Sequence, residues 1–136
     1  MKKITVTTHV KAPVDTVWAY WTSPKHIMNW NNASDEWHTP QATNDLREGG
    51  VFTSRMESRD GTQGFDFSGT YMSVNQGEML SYTLDDGRVV EVVFKADGNG
   101  TIVEETFDPE GDNSIEMQKG GWQAILDNFK KYVENQ

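Results

Sequence analysis

Gly120-Gly121-Trp122-Gln123-Ala124-Ile125-Leu126-Asp127-Asn128-Phe129-Lys130-Lys131-Tyr132-Val133-Glu134 is the one long segment of this chain with helical periodicity. Trp122, Ile125, Leu126, Phe129 and Val133 recur at i, i+3, i+4, i+7 and i+11 and make one apolar stripe. Gln123, Asp127, Asn128, Lys130, Lys131 and Glu134 make the wet side. Burying five such side chains at about 1.5–3 kcal/mol each contributes roughly 7–15 kcal/mol as an upper bound. The stripe therefore needs a broad apolar surface to lie on. Gly120-Gly121 are expected just ahead of the helix, where they allow close packing on that surface or offer amides to an anion.

The rest of the chain supplies the surface as strands. Gly49-Gly50 separates 41–46 from 51–58, and Asp60-Gly61 opens the turn before 64–74. Asn75-Gln76-Gly77 precedes 79–84, Asp86-Gly87 precedes 88–96, and Asp97-Gly98-Asn99-Gly100 precedes 101–107. Asp-Gly between alternating runs signals a hairpin, because both central positions of a type I′ turn need φ > 0. At the N-terminus, Ile4, Val6, Thr8 and Val10 alternate with Thr5, Thr7, His9 and Lys11 as a half-buried strand. After Ala12-Pro13, the residues Val14, Val17, Trp18 and Trp21 mark a short helix, and Ser23-Pro24 caps a second one running toward Trp30. Residues 31–40 have no period and many turn formers and read as a loop. The fold class is α+β: a seven-stranded antiparallel curved sheet around a long C-terminal helix, with two short helices after the first strand. Residues 1–136 read as one domain, without repeats or a linker.

The bulk chemistry excludes several functions. A formal charge of −9, from 21 acidic and 12 basic residues, opposes binding to nucleic acid or anionic membrane. The absence of cysteine excludes a disulfide framework, a thiol nucleophile and a thiolate metal site. His9, His26 and His38 have no metal-ligand spacing, so no metal is expected. No serine sits in a GxSxG elbow, and no glycine run forms a phosphate loop, so no cofactor is expected. The first residues contain no apolar run of signal-peptide length, and the default location is cytoplasmic.

Strand parity selects the residues that face the helix. These are Phe52 and Met56; Phe65, Phe67 and Tyr71, with Gly69 marking a bulge or a close approach of the helix; Leu80, Tyr82 and Leu84; Val90, Val92 and Phe94; and Thr101, Val103 and Phe107. Glu105 has the parity of Val103 and Phe107. If the register holds, a carboxyl group points into an apolar interior, where desolvation raises its pKa. A bulge or a rim position would instead leave it solvated.

Taken together, Ala12-Pro13, Val17-Trp18, Pro24 and Trp30 resemble the opening of the START-like, or SRPBCC, superfamily. Leu46-Arg47-Glu48-Gly49-Gly50-Val51-Phe52 is similar to its "LRxGGxF" segment. Glu105-Thr106-Phe107, with Gly121-Trp122-Gln123-Ala124-Ile125-Leu126, resembles the branch named after the activator of the heat-shock protein 90 ATPase. The resemblance spans essentially the whole chain and implies the helix-grip fold, with a cavity between sheet and C-terminal helix. It also implies a range of activities, since the superfamily holds lipid and hormone carriers, polyketide cyclases and co-chaperone domains. Eukaryotic activators of the chaperone ATPase add a separate N-terminal chaperone-binding domain, for which this sequence has no room.

The leading expectation is a non-enzymatic module that holds a small apolar or aromatic ligand in that cavity. The expected ligand-binding residues are Trp30, His38, Phe52, Met56, Phe67, Tyr71, Tyr82, Phe94, Glu105, Trp122 and Ile125. His38 enters as a polar contact from a loop over the mouth. One alternative is a cyclase- or hydratase-type enzyme, with Glu105 as acid/base and His38 or a tyrosine polarising a carbonyl. Another is a co-chaperone-like interaction protein with a chaperone partner.

Overall fold

The computed structural model describes residues 2–136. Its strands are β1 (Ile4–Val10), β2 (Trp37–Asn44), β3 (Val51–Ser58), β4 (Gly64–Asn75), β5 (Met79–Leu84), β6 (Val89–Asp97) and β7 (Gly100–Phe107). Its helices are α1 (Val14–Thr22), α2 (Pro24–Trp30) and α3 (Ile115–Glu134). Gly87 and Gly98 turn the last two hairpins with φ of 93° and 61°, the left-handed region that their Asp-Gly turns require. All pairs are antiparallel in the order β1-β7-β6-β5-β4-β3-β2, so the meander from β2 to β7 is completed by β1 at its far edge. This is the expected seven-stranded helix-grip arrangement, with the curled sheet wrapped round α3.

The alternation seen in the sequence fixes which faces are buried. Val6, Val10, Val90, Val92, Val103 and Phe107 are almost wholly enclosed, and Leu126, Phe129 and Val133 of α3 pack into the same core. Trp21 from α1 packs edge-on against Phe129 and at a tilt against Trp30, both at 4.8 Å between ring centroids. The two short helices thus close the sheet at one end of α3.

Four local expectations are corrected. The stretch read as loop contains the first half of β2: Trp37 pairs with Ser58 and His38 with Glu57, and the register then shifts before Gln41. Pro40 falls in that irregularity, on an edge strand, where its missing N–H is tolerated. The helix α3 begins at Ile115, and Ser114 caps it by accepting from the Met117 amide at 3.1 Å, so Gly120 and Gly121 lie inside the helix. Neither has any atom within 4 Å of an added Cβ, which removes both the packing and the anion readings. Ser23 occupies the cap position of α2, but its side chain makes no capping bond. Gly69 marks neither a bulge nor the helix: the Phe52 ring lies against it from the next strand, and the β4 irregularity falls between Tyr71 and Ser73.

Candidate functional site

A cavity of about 440 Å³ lies between the sheet and the N-terminal half of α3. Parity aims the walls. Phe52, Ser54 and Met56 come from β3, Phe67 and Tyr71 from β4, Leu80 and Tyr82 from β5, and Glu105 from β7. α3 supplies Met117, Gln118, Gly121, Trp122 and Ile125, while Trp21, Ile27 and Trp30 close the end toward α1 and α2. Trp122 is fixed by stacking on Phe107 at 3.9 Å between centroids. The exposed side chains of Phe65 and Met117 rim the mouth.

Nine of the expected residues come together here: Trp30, Phe52, Met56, Phe67, Tyr71, Tyr82, Glu105, Trp122 and Ile125. Two do not. Phe94 has the right parity, but α1 covers that end of β6, and the ring is buried against Trp18 and Trp21 at 5.2 and 5.8 Å. His38 pairs across the strands with Glu57, whose parity is opposite to that of Phe52 and Met56. Its Nε2 lies 3.9 Å from the Glu57 carboxylate, outside the cavity lining.

Glu105 is 5% exposed, between Val6 and Val92 on the neighbouring strands. The register therefore holds, and the carboxyl is enclosed. Burial, with no offsetting charge or hydrogen bond, pushes it up to about 8. It is a neutral acid at pH 7. Tyr82, buried on the same face two strands away, is pushed well above 10 by desolvation and then by the Glu105 charge. Tyr71 is raised to about 12 by burial, and its hydroxyl donates to Asn44 Oδ1 at 2.7 Å. Asn44 in turn donates to the Thr22 carbonyl at 2.6 Å, which ties β2 to the end of α1.

Gln118 was missed by the sequence reading. Buried at the cavity edge, its Oε1 accepts from the Glu110 amide at 2.8 Å, and its Nε2 donates to the Asn113 carbonyl at 2.8 Å. It latches the β7–α3 loop to the helix. It lies four residues before Trp122, on the same helical face, and became legible only once the helix was known to start before Gly120. Arg88 also lines the cavity, with its Nε held by Asp86 at 2.8 Å. Among the described residues no group of His, Cys, Asp and Glu is placed to hold a metal, and no helix is long and apolar enough to cross a membrane.

The solution structure of an AHSA1-like protein from Aeromonas hydrophila is 45% identical, with a TM-score of 0.93 over 98% of this chain and 92% of that one. A protein from Cytophaga hutchinsonii is 50% identical, with a TM-score of 0.85 over the same shares. One from Nitrosomonas europaea, 19% identical over 98% of this chain and 95% of that one, shares the fold with a TM-score of 0.86. No curated protein matches the chain. Residues 11–134 match the family described as "Activator of Hsp90 ATPase homolog 1-like protein", and the chain belongs to that family.

Proposed function

We propose that this protein is a binding module that holds a small apolar or aromatic molecule between the sheet and the first half of α3. The observation that carries this reading is the cavity of about 440 Å³ with walls of Trp, Phe, Tyr and Met side chains. Ligand sites of a few hundred Å³ are built this way, apolar with a few placed polar groups. Nine residues expected from the sequence to contact the ligand line it, and Ser54, Tyr82, Glu105 and Gln118 are among its buried polar groups. Displacement of a hydrophobic fluorescent dye, together with native mass spectrometry of the protein from its host, tests the reading. Stoichiometric displacement supports it. A cavity that takes up neither dye nor co-purified small molecule sinks it.

Burial of Glu105 favours a second reading, a cyclase- or hydratase-type enzyme. A carboxyl pushed up to about 8 is poised to exchange protons near neutral pH. Turnover abolished by Glu105→Gln with ligand binding retained would establish it; binding without turnover of any bound carbonyl compound counts against it. Family membership supports a third, an interaction with a chaperone of the Hsp90 class. A pull-down with the host's own chaperone decides that point.

A further inference from the structure

Among the described residues, three buried oxygen-bearing side chains that line the cavity make no hydrogen bond: Ser54, Tyr82 and Glu105, of which Glu105 and Tyr82 are the ionisable ones. No fully enclosed side-chain nitrogen or oxygen among the described residues lacks a hydrogen-bond partner. The unbonded oxygens of Glu105 and Tyr82 therefore open onto the cavity that both residues line. They share one face of the sheet across β6: Tyr82 on β5 is opposite Val90 and Glu105 on β7 is opposite Val92, so the two stand diagonally, two strands and two residues apart, with the cavity over both. We propose that the ligand is an aromatic, uncharged molecule whose carbonyl oxygen accepts hydrogen bonds from the Glu105 carboxyl and the Tyr82 hydroxyl. This rests on the binding reading and specifies its chemistry.

The other ionisable groups lining the cavity explain the choice. Tyr71 already donates its hydroxyl hydrogen bond to Asn44 Oδ1. Arg88 is the cation among these lining residues, and an ammonium ligand would have to share the space with it. A carboxylate ligand would lie in an apolar chamber with Glu110 in its lining, inside a chain of net charge −9, and Arg88 is already engaged by Asp86. The elements around Glu105 bring no charge to it: Val6 of β1 and Val92 of β6 flank it in the sheet, and the lining residues of α3, Gln118 and Trp122 among them, are uncharged. A carboxylic acid kept neutral by such a site is a hydrogen-bond donor at neutral pH. Two donors and aromatic walls fit a conjugated ketone without ionising either group.

Three ring-matched probes test this on the full chain: 2-acetylnaphthalene, 2-ethylnaphthalene and 1-(2-naphthyl)ethylamine, titrated calorimetrically at about pH 6 and about pH 9. The ketone is expected to bind about tenfold more tightly than the hydrocarbon at the lower pH, as one or two net hydrogen bonds dictate. That preference should shrink at the higher pH, because Glu105 loses its proton through about 8. Glu105→Gln still donates, so it should keep the ketone preference and lose the pH dependence. Equal binding of ketone and hydrocarbon overturns the proposal while leaving the binding reading intact. An amine that binds best, and better as pH rises, overturns it in favour of a cation site. Failure of all three to bind overturns both.

Discussion

The indole of Trp122 on α3 lies face to face on the ring of Phe107 on β7, with centroids 3.9 Å apart and planes 13° from parallel. Phe107 is fully enclosed, whereas Trp122 presents its free surface to the cavity, so this one stack joins core to site. Trp122→Ala is expected to cost roughly 2–3 kcal/mol, less than the about 3–5 kcal/mol for a fully buried ring. It should also enlarge the cavity and alter dye binding. Val133, farther along the same stripe and buried away from the cavity, is the matched control: Val133→Ala should cost about 2 kcal/mol and leave binding unchanged. Phe129 cannot serve as that control, because it packs at 4.8 Å against both Trp21 and Trp30 of the cavity wall. Urea unfolding and dye titration of the two variants check the separation; loss of binding in both would make the helix a single unit.

How much of this was readable beforehand follows from which interactions are local. The Asp-Gly turns and the period-2 runs encode β5, β6 and β7 directly, and the same parity pointed Glu105 inward. Trp37–Pro40 was missed because its strand character comes from pairing with β3, a partner elsewhere in the chain. The start of α3 was missed because Ile115 and Met117 are exposed and give no apolar stripe, although Ser114 carries the capping signal. Phe94 was misplaced because parity chooses a face of the sheet and is silent on which helix covers which end of a strand.

Gly69→Ala tests the sheet's contribution to the cavity wall. An added Cβ would stand 2.7 Å from Cε2 of Phe52 and 3.0 Å from the Thr83 carbonyl oxygen, and the backbone oxygen cannot step aside. Destabilisation of about 1–3 kcal/mol is expected, with Phe52 driven toward the cavity. Because the strain runs through Phe52, a double-mutant cycle with Phe52→Ala should show coupling of about 0.5 kcal/mol or more. Additive effects would place the cost at the Thr83 backbone alone.

Gly120→Ala should act in the opposite direction. Gly120 is exposed and lies within α3, and a methyl group added there would meet no atom within 4 Å. Alanine at this position gains the helix propensity that glycine forfeits, about 0.5–1 kcal/mol. The measurement is a rise in the urea midpoint at unchanged slope. A fall would mean that the first turns of α3 need to bend.

Glu105 makes stability depend on pH in a window set by its own titration. Its ordinary value is 4.5 and its value in the folded protein is about 8. Below 4.5 the group is protonated in both states and costs nothing. Between 4.5 and 8 the unfolded chain ionises while the native chain keeps its proton, so the unfolding free energy falls as pH rises. The slope is about 1.4 kcal/mol per pH unit, several kcal/mol across the window as an upper bound, and it levels off above about 8. The surface carboxylates Asp60, Asp86, Asp108 and Glu134, all held below their ordinary values by hydrogen bonds or neighbouring cations, act below this window. Their stabilisation is present at neutral pH and is lost on acidification. His26, held below 6.5 by burial and by Lys25, adds a slope of opposite sign below pH 6.5. Subtracting Glu105→Gln from the parent cancels every one of these, since the variant retains them all. The difference in unfolding free energy, measured by urea titration from about pH 4.5 to about pH 9, should grow in favour of the variant up to about pH 8 and then level off. Parallel curves would show that Glu105 ionises normally in the folded state. The cavity would then hold a carboxylate, and neither the donor role nor the acid/base role assigned to Glu105 would survive.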